Sequence, residues 1–172
     1  MMSPSPVQRD RSRTSVAALL FAATASLIAG CAKAPVIEPP APVTVVVDLA
    51  ATPDVNPDPN GRASPITVRV HQLADATEFG KADFFALWQQ DAATLGAAAL
   101  GRHEVPLAPG ASGSVSFKLS PAMQSVGIVA AYRDFRQATW RVNVPAPAEP
   151  APGSTIKLAV RVTADAVTAQ WQ

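Results

Sequence analysis

The chain has 172 residues, 48% hydrophobic and 16% charged, with 14 basic and 13 acidic side chains and a formal net charge of +1. That length provides for one hydrophobic core, and so even a balance of charge offers no basic stripe for nucleic acid or anionic lipid. A single cysteine forms no internal disulfide, and His71 and His103 have no neighbouring ligands at metal spacing, so packing must hold the fold without a metal centre.

Arg9, Arg11 and Arg13 precede an apolar run from Val16 to Gly30 that ends on small residues at Cys31. Those 15 residues fall short of the ~20 needed to cross a bilayer as a helix, and the basic flank is that of a secretory signal. Leu27-Ile28-Ala29-Gly30-Cys31 resembles a bacterial lipobox. The resemblance implies that residues 1–30 are removed and that Cys31 becomes the first mature residue, carrying covalent lipid as its only attached group. Several acyl chains on one residue hold a protein to a membrane stably. Ala32 stands where an aspartate would favour the inner membrane, which points to the outer membrane and its periplasmic side. Loss of the first 30 residues leaves 11 basic against 12 acidic side chains.

Residues 31–42 follow as a stalk, with prolines at 35, 39, 40 and 42 excluding regular pairing. At ~3.1 Å per residue in an extended polyproline conformation the stalk reaches about 34 Å.

From Val43 the pattern has period two, the mark of strands with one buried face. Val43, Val45, Val47 and Leu49 form one inward set; Ile66, Val68 and Val70 form the next, with Thr67, Arg69 and His71 on the outward face. Residues 79–95 break the alternation: Ala82, Phe85, Trp88, Ala92 and Leu95 recur at helical spacing and predict one amphipathic helix over about 78–95, opened by an Asp75/Glu78 capping box. Period two then resumes with a short candidate at 103–107, with Val115, Phe117 and Leu119, with Trp140, Val142 and Val144, with Ile156, Leu158, Val160 and Val162, and with a last short candidate at 165–169. The segment 126–132 is apolar on both sides, as a strand covered on both faces would be. About eight strands with turn chemistry between them predict a mainly β domain over 43–172, a two-layer antiparallel β-sandwich with one inserted helix.

Catalytic signatures are missing from the pattern. There is no Gly-x-Ser-x-Gly elbow, and Asp83, Asp91, Glu104 and Asp134 are scattered among turns and polar faces. The chain reads as a non-enzyme with no small-molecule substrate.

Asn56-Pro57-Asp58-Pro59-Asn60-Gly61-Arg62-Ala63-Ser64-Pro65, then Ile66 to Leu73, then Phe79-Gly80-Lys81-Ala82-Asp83-Phe84-Phe85-Ala86-Leu87 resemble TssJ, the outer-membrane lipoprotein family of type VI secretion systems. Ala130-Ala131-Tyr132-Arg133 and Trp140-Arg141 follow in the family's order. His71 departs from it, standing where members often carry an aromatic residue. The resemblance implies a transthyretin-like sandwich that binds the periplasmic region of TssM, and through it TssL, by the loop between the first two strands, here residues 51–64. Three prolines keep that loop out of helix and ladder, and Asn60-Gly61 suits a turn with positive φ. Asp54, Asp58 and Arg62 can make charge-assisted contacts, Asn56 and Asn60 can donate and accept, and Val55 is a small apolar contact. The same asparagine and aspartate side chains can instead bond their own backbone as Asx turns. The alternative function is a periplasm-facing lipoprotein that binds glycan or peptide, with Trp88 or Trp140 as a stacking platform and Trp171 near a mobile end.

Overall fold

The computed structural model describes residues 39–172. The expected signal peptide, Cys31 and the stalk as far as Glu38 lie outside the described residues.

Alternation becomes two packed layers. Strand β1 (Thr44–Ala51) lies between β4 (Ser112–Lys118) and β7 (Thr155–Val162), and β8 (Val167–Trp171) completes the first sheet in the order β4-β1-β7-β8. The second sheet has the order β3-β2-β5-β6, built from β3 (Ala99–Leu107), β2 (Ile66–Leu73), β5 (Ser125–Ala130) and β6 (Arg141–Pro145). Val45, Val47, Leu49, Leu158, Val160 and Val162 from one sheet meet Ile66, Val68, Val70, Val126, Ile128 and Ala130 from the other, and these twelve side chains form the centre of the core. The pairing is antiparallel except between β1 and β7, which run parallel from Thr44↔Thr155 to Ala51↔Val162. Local pattern cannot show that exception, because strand direction leaves side-chain alternation unchanged.

The expected single helix is three short ones: α1 (Thr77–Lys81), α2 (Phe84–Gln89) and α3 (Asp91–Leu95), closed by a 3₁₀ turn at Gly96–Ala98. Ala82 is extended at the end of α1, and Asp83 restarts the chain by accepting the Ala86 amide at 2.9 Å as an N-cap. Asp75 does not form the expected box; its carboxylate accepts the Thr77 amide at 2.7 Å, and Ala76 stands at the cap. These breaks rotate the stripe. Phe79, Phe84, Leu87 and Leu95 are buried, whereas Phe85 is 50% exposed and Ala92 is exposed.

The helices cover the outer face of the second sheet, where Leu73, Val129, Phe79, Phe84, Leu87 and Leu95 make a second apolar cluster. Gly127 makes the close approach possible: a Cβ there would lie 2.7 Å from the Phe79 ring and 2.9 Å from Leu73 Cδ1. The cover also changes the surroundings of Arg69 and His71, expected on an outward face. His71 is fully buried, and Arg69 lies beneath α2 with its guanidinium 3.9 Å from the Trp88 ring centre, donating to the Trp88 carbonyl and to Glu104.

Burial lowers the His71 pKa from 6.5 to about 4; Asp91 raises it, and Arg69 and Arg102 lower it further. Neither ring nitrogen has a hydrogen-bond partner. Burial also pushes the Asp91 carboxyl upward, but two hydrogen bonds and the charge from Arg102 outweigh it and leave Asp91 below its ordinary value.

Gly127→Ala should lower stability by about 1–3 kcal/mol in urea unfolding, with part of the loss restored by Phe79→Leu, because the inserted methyl overpacks a contact that Leu73 and Phe79 already fill. The unfolded chain protonates His71 near pH 6.5 and the folded chain only near pH 4, so stability should fall as pH drops through that window, by on the order of 3 kcal/mol. His71→Phe should abolish this fall and leave the later one, below the ordinary carboxylate pKa, that Asp91 contributes. The check is the unfolding midpoint measured from pH 7 to pH 3.

Candidate functional site

The chain enters the first sheet at Thr44, and β1 carries it to the opposite end of the sandwich, about 23 Å away for eight residues. The loop of residues 52–65 closes that end. It is braced from within: Val55 donates to Thr52 O at 3.1 Å, Ser64 donates to Val55 O at 3.0 Å, and the amide of Thr52 donates to Val162 O at 2.9 Å. Gly110 donates from the neighbouring turn to Thr52 O at 3.1 Å.

The loop tip forms around Asp58. Its Oδ1 accepts the amides of Asn60 at 2.9 Å and Arg62 at 3.0 Å, while its own backbone pairs with Arg62 O and Gly61 N at 2.8 Å each. Gly61 takes φ +78°, the positive value that the Asn60-Gly61 pair suggested. Arg62 reaches back to the Asp58 carboxylate at 3.3 Å but is 83% exposed, so this ion pair adds little stability.

Of the six loop residues expected to contact a partner, Asp54, Asn60 and Arg62 are exposed and Asp58 is half-buried. Val55 and Asn56, expected in the same set, are buried instead. Val55 is fully buried in the main core, because the loop folds back over the open end of the sandwich and needs an apolar plug there. Asn56 is only 4% exposed; its Nδ2 donates to Pro65 O at 2.9 Å, its Oδ1 accepts the Arg133 amide at 2.8 Å, and it adopts φ +49°. Asparagine tolerates that left-handed backbone, and here one side chain ties the loop to the β5–β6 connection. The Asx-type bonding foreseen for the loop is present at Asp58, which accepts the amide two residues on, whereas Asn56 bonds backbone groups far from its own.

Asn56, Pro57, Asp58 and Pro59 form one wall of a cleft of about 530 Å³; Tyr132, Arg133, Asp134 and Gln137 supply another, and Ala164 and Asp165 of the β7–β8 turn complete it. Sequence spacing gave no sign that these three connections meet. The one hint was Asn56, a buried amide needing partners, but its acceptance of an amide 77 positions away has no local signature. Tyr132 donates from Oη to Thr163 O at 3.1 Å, and burial pushes its phenol well above the ordinary range, so it remains a donor.

The tryptophans are engaged in packing. Trp88 stacks on the Arg69 guanidinium, Trp140 meets Phe84 edge-on at 5.3 Å, and Trp171 sits in β8, donating Nε1 to Pro145 O at 2.7 Å. Among the described residues no group of three or more His, Cys, Asp or Glu is placed to hold a metal ion.

A rigid sandwich that closes one end with a self-braced loop and a three-walled cleft has the design of a binding module. The chain belongs to the family described as T6SS-SciN, "Type VI secretion lipoprotein, VasD, EvfM, TssJ, VC_A0113", whose model matches residues 43–165. It is similar to the T6SS lipoprotein TssJ1 from Pseudomonas aeruginosa, at 34% identity and TM-score 0.69 over 76% of this chain and 97% of that one. Serratia marcescens Lip, a membrane-bound component of the type VI secretion system, shares the fold at 24% identity and TM-score 0.68, over 76% and 98% of the two chains. A chain in the structure of the T6SS protein TssM C-terminal domain from EAEC matches at 26% identity and TM-score 0.59, over 74% and 97%. A comparison with curated proteins finds no match.

Asn56→Ala should cost about 2–3 kcal/mol in denaturant unfolding, since it removes both hydrogen bonds of a buried side chain and places alanine at positive φ. Amide exchange at Arg133 should quicken at the same time, which a merely local loss would not produce.

Proposed function

We propose that this protein is a non-catalytic anchor of the type VI secretion membrane complex: a lipoprotein of the outer membrane, facing the periplasm, that binds the periplasmic region of TssM through the loop between β1 and β2 and is linked through TssM to TssL. Covalent lipid on Cys31 supplies the attachment, and the stalk supplies reach. Such a role needs a fixed surface and an anchor, and no reacting group.

The observation that carries the reading is the placement and bracing of the loop. It lies at the far end of β1 from the point where the chain enters the fold, and Asp58 and Asn56 hold it in one shape before any partner arrives. Preorganisation spares an ordering cost of about 0.5–1.5 kcal/mol for each side chain that binding would otherwise immobilise. Asp54, Asn60 and Arg62 offer polar contacts on the exposed side, and the adjoining cleft, rimmed by Asp58, Asp134 and Asp165 with Arg133, suits a segment bearing amide or cationic donors. Family membership and the likeness to a chain in the TssM C-terminal domain structure support the choice of partner.

The test separates contact from folding. Asp54→Lys with Arg62→Gln keeps the backbone amides on Asp58 and the core in place and removes only an exposed ion pair of little stability, so the unfolding midpoint should stay put while calorimetric affinity for the TssM periplasmic domain drops at least about tenfold. Removal of residues 56–61 should abolish binding altogether. Undiminished affinity in both variants would exclude the loop from the contact. Cys31→Ser should fold normally yet leave the outer-membrane fraction and stop secretion, and continued membrane fractionation would defeat the lipid assignment.

A further inference from the structure

Each sheet ends in two strands with outward backbone groups, and the hydrogen-bond parity shows which residues carry them. In an antiparallel ladder, hydrogen-bonded pairs alternate with unbonded ones. Ala131 donates to Thr67 O at 2.9 Å, so the odd-numbered residues of β2 bond β5 and the even-numbered ones bond β3; Arg102, Glu104 and Pro106 then face the free edge of β3. Ala130 donates to Trp140 O at 2.8 Å, which leaves Arg141, Asn143 and Pro145 on the free edge of β6. Gln172 donates to Lys157 O at 2.9 Å, so Val167, Ala169 and Trp171 face outward from β8; Val167 is taken by Thr139 O at 2.9 Å, and the Trp171 ring by Pro145 O at 2.7 Å. Charge and proline guard the first two edges, and direct contact closes the third.

Strand β4 has no such guard. Leu119 donates to Val43 O and Ala51 donates to Ala111 O, each at 2.9 Å, so residues 113, 115 and 117 bond β1, and Ser112, Ser114, Ser116 and Lys118 turn their amides and carbonyls to the free edge. Seven residues in regular register present small hydroxyls, no proline, and one charge at the end. Their order is self-complementary. In an antiparallel pair of two β4 strands centred on Val115, Ser114 of each copy bonds Ser116 of the other, and Ser112 bonds Lys118. On the inner face Val115 meets Val115, while Phe117, stacked at 5.5 Å on His103, and Gly113, covered by Val105 and Leu107, keep their contacts within their own copy.

We propose that the free edge of β4 is a self-association edge, at which two copies of this chain join antiparallel about Val115 into one eight-stranded sheet. None of its residues lines the loop-end cleft, so this inference is independent of the TssM reading. A seven-residue edge buries on the order of 600 Å², below what a stable complex needs, so association in solution is weak and confinement on a membrane strengthens it. The stalk's expected reach lets both lipids enter one bilayer.

The experiment uses the full chain in detergent micelles. The wild type should show a sedimentation coefficient that rises with protein concentration, and Ser114→Lys with Ser116→Lys, which sets like charges face to face, should lower self-association at least about tenfold without moving the unfolding midpoint. Under mild oxidation Val115→Cys should give a crosslinked dimer that the wild type, with lipid on its single cysteine, does not, whereas Ser112→Cys, six positions out of register with itself, should stay uncrosslinked. A wild type that remains monomeric at every concentration overturns the proposal. So does Ser112→Cys crosslinking as readily as Val115→Cys, or Val115→Cys linking only to a different polypeptide, which would give the edge to another protein's strand.

Discussion

Everything in the second sheet depends on β5 being covered on both faces. Val126, Ile128 and Ala130 point into the sandwich core, while Val129 faces the helical cluster and Gly127 admits the Phe79 ring. A side chain at 127 would lift α1 from the sheet, and the cover over His71 and Arg69 would go with it. Arg141 tightens the same contact by donating to Phe79 O at 2.9 Å and to Ala82 O. The helical excursion is therefore not an appendage but a third layer, seated on the only residue type that lets aromatic and backbone approach so closely.

At the loop end of the sandwich, rigidity comes from polar groups. A proline-rich loop has few backbone donors to spare, and the available ones are used inside the loop: Asp58 takes two amides, and Asn56 reaches the β5–β6 connection. The consequence is a division of labour. Val55, Asn56 and Asp58 hold the shape, leaving Asp54, Asn60 and Arg62 free on the surface. A loop held in this way has little conformational freedom left to lose.

Legibility followed the range of each interaction. Alternation along β1, β2, β4, β6 and β7 is set by neighbours two residues apart, and the inward sets stand as read, Val45, Val47 and Leu49 among them. The doubly apolar 126–132 segment also declared its place in the middle of a sheet. The helix was harder. A stripe at helical spacing assumes an unbroken axis, and the extended Ala82 with the Asp83 cap ends that assumption after one turn, turning Phe84 inward and Phe85 outward. His71 was read correctly as facing away from the sandwich, yet it is buried, since strand parity states which face a residue is on and not what lies over that face.

The sequence alone determined the layers, the loop and its turn: apolar residues at period two must bury one face, prolines must break pairing, and Asn60-Gly61 must turn. Tertiary structure decided what those pieces meet. Only folding brings Asn56 to Arg133, runs β1 parallel to β7 and sets Phe79 on Gly127, because these contacts join residues far apart in the chain, and no local pattern encodes the partner of a side chain across a sheet.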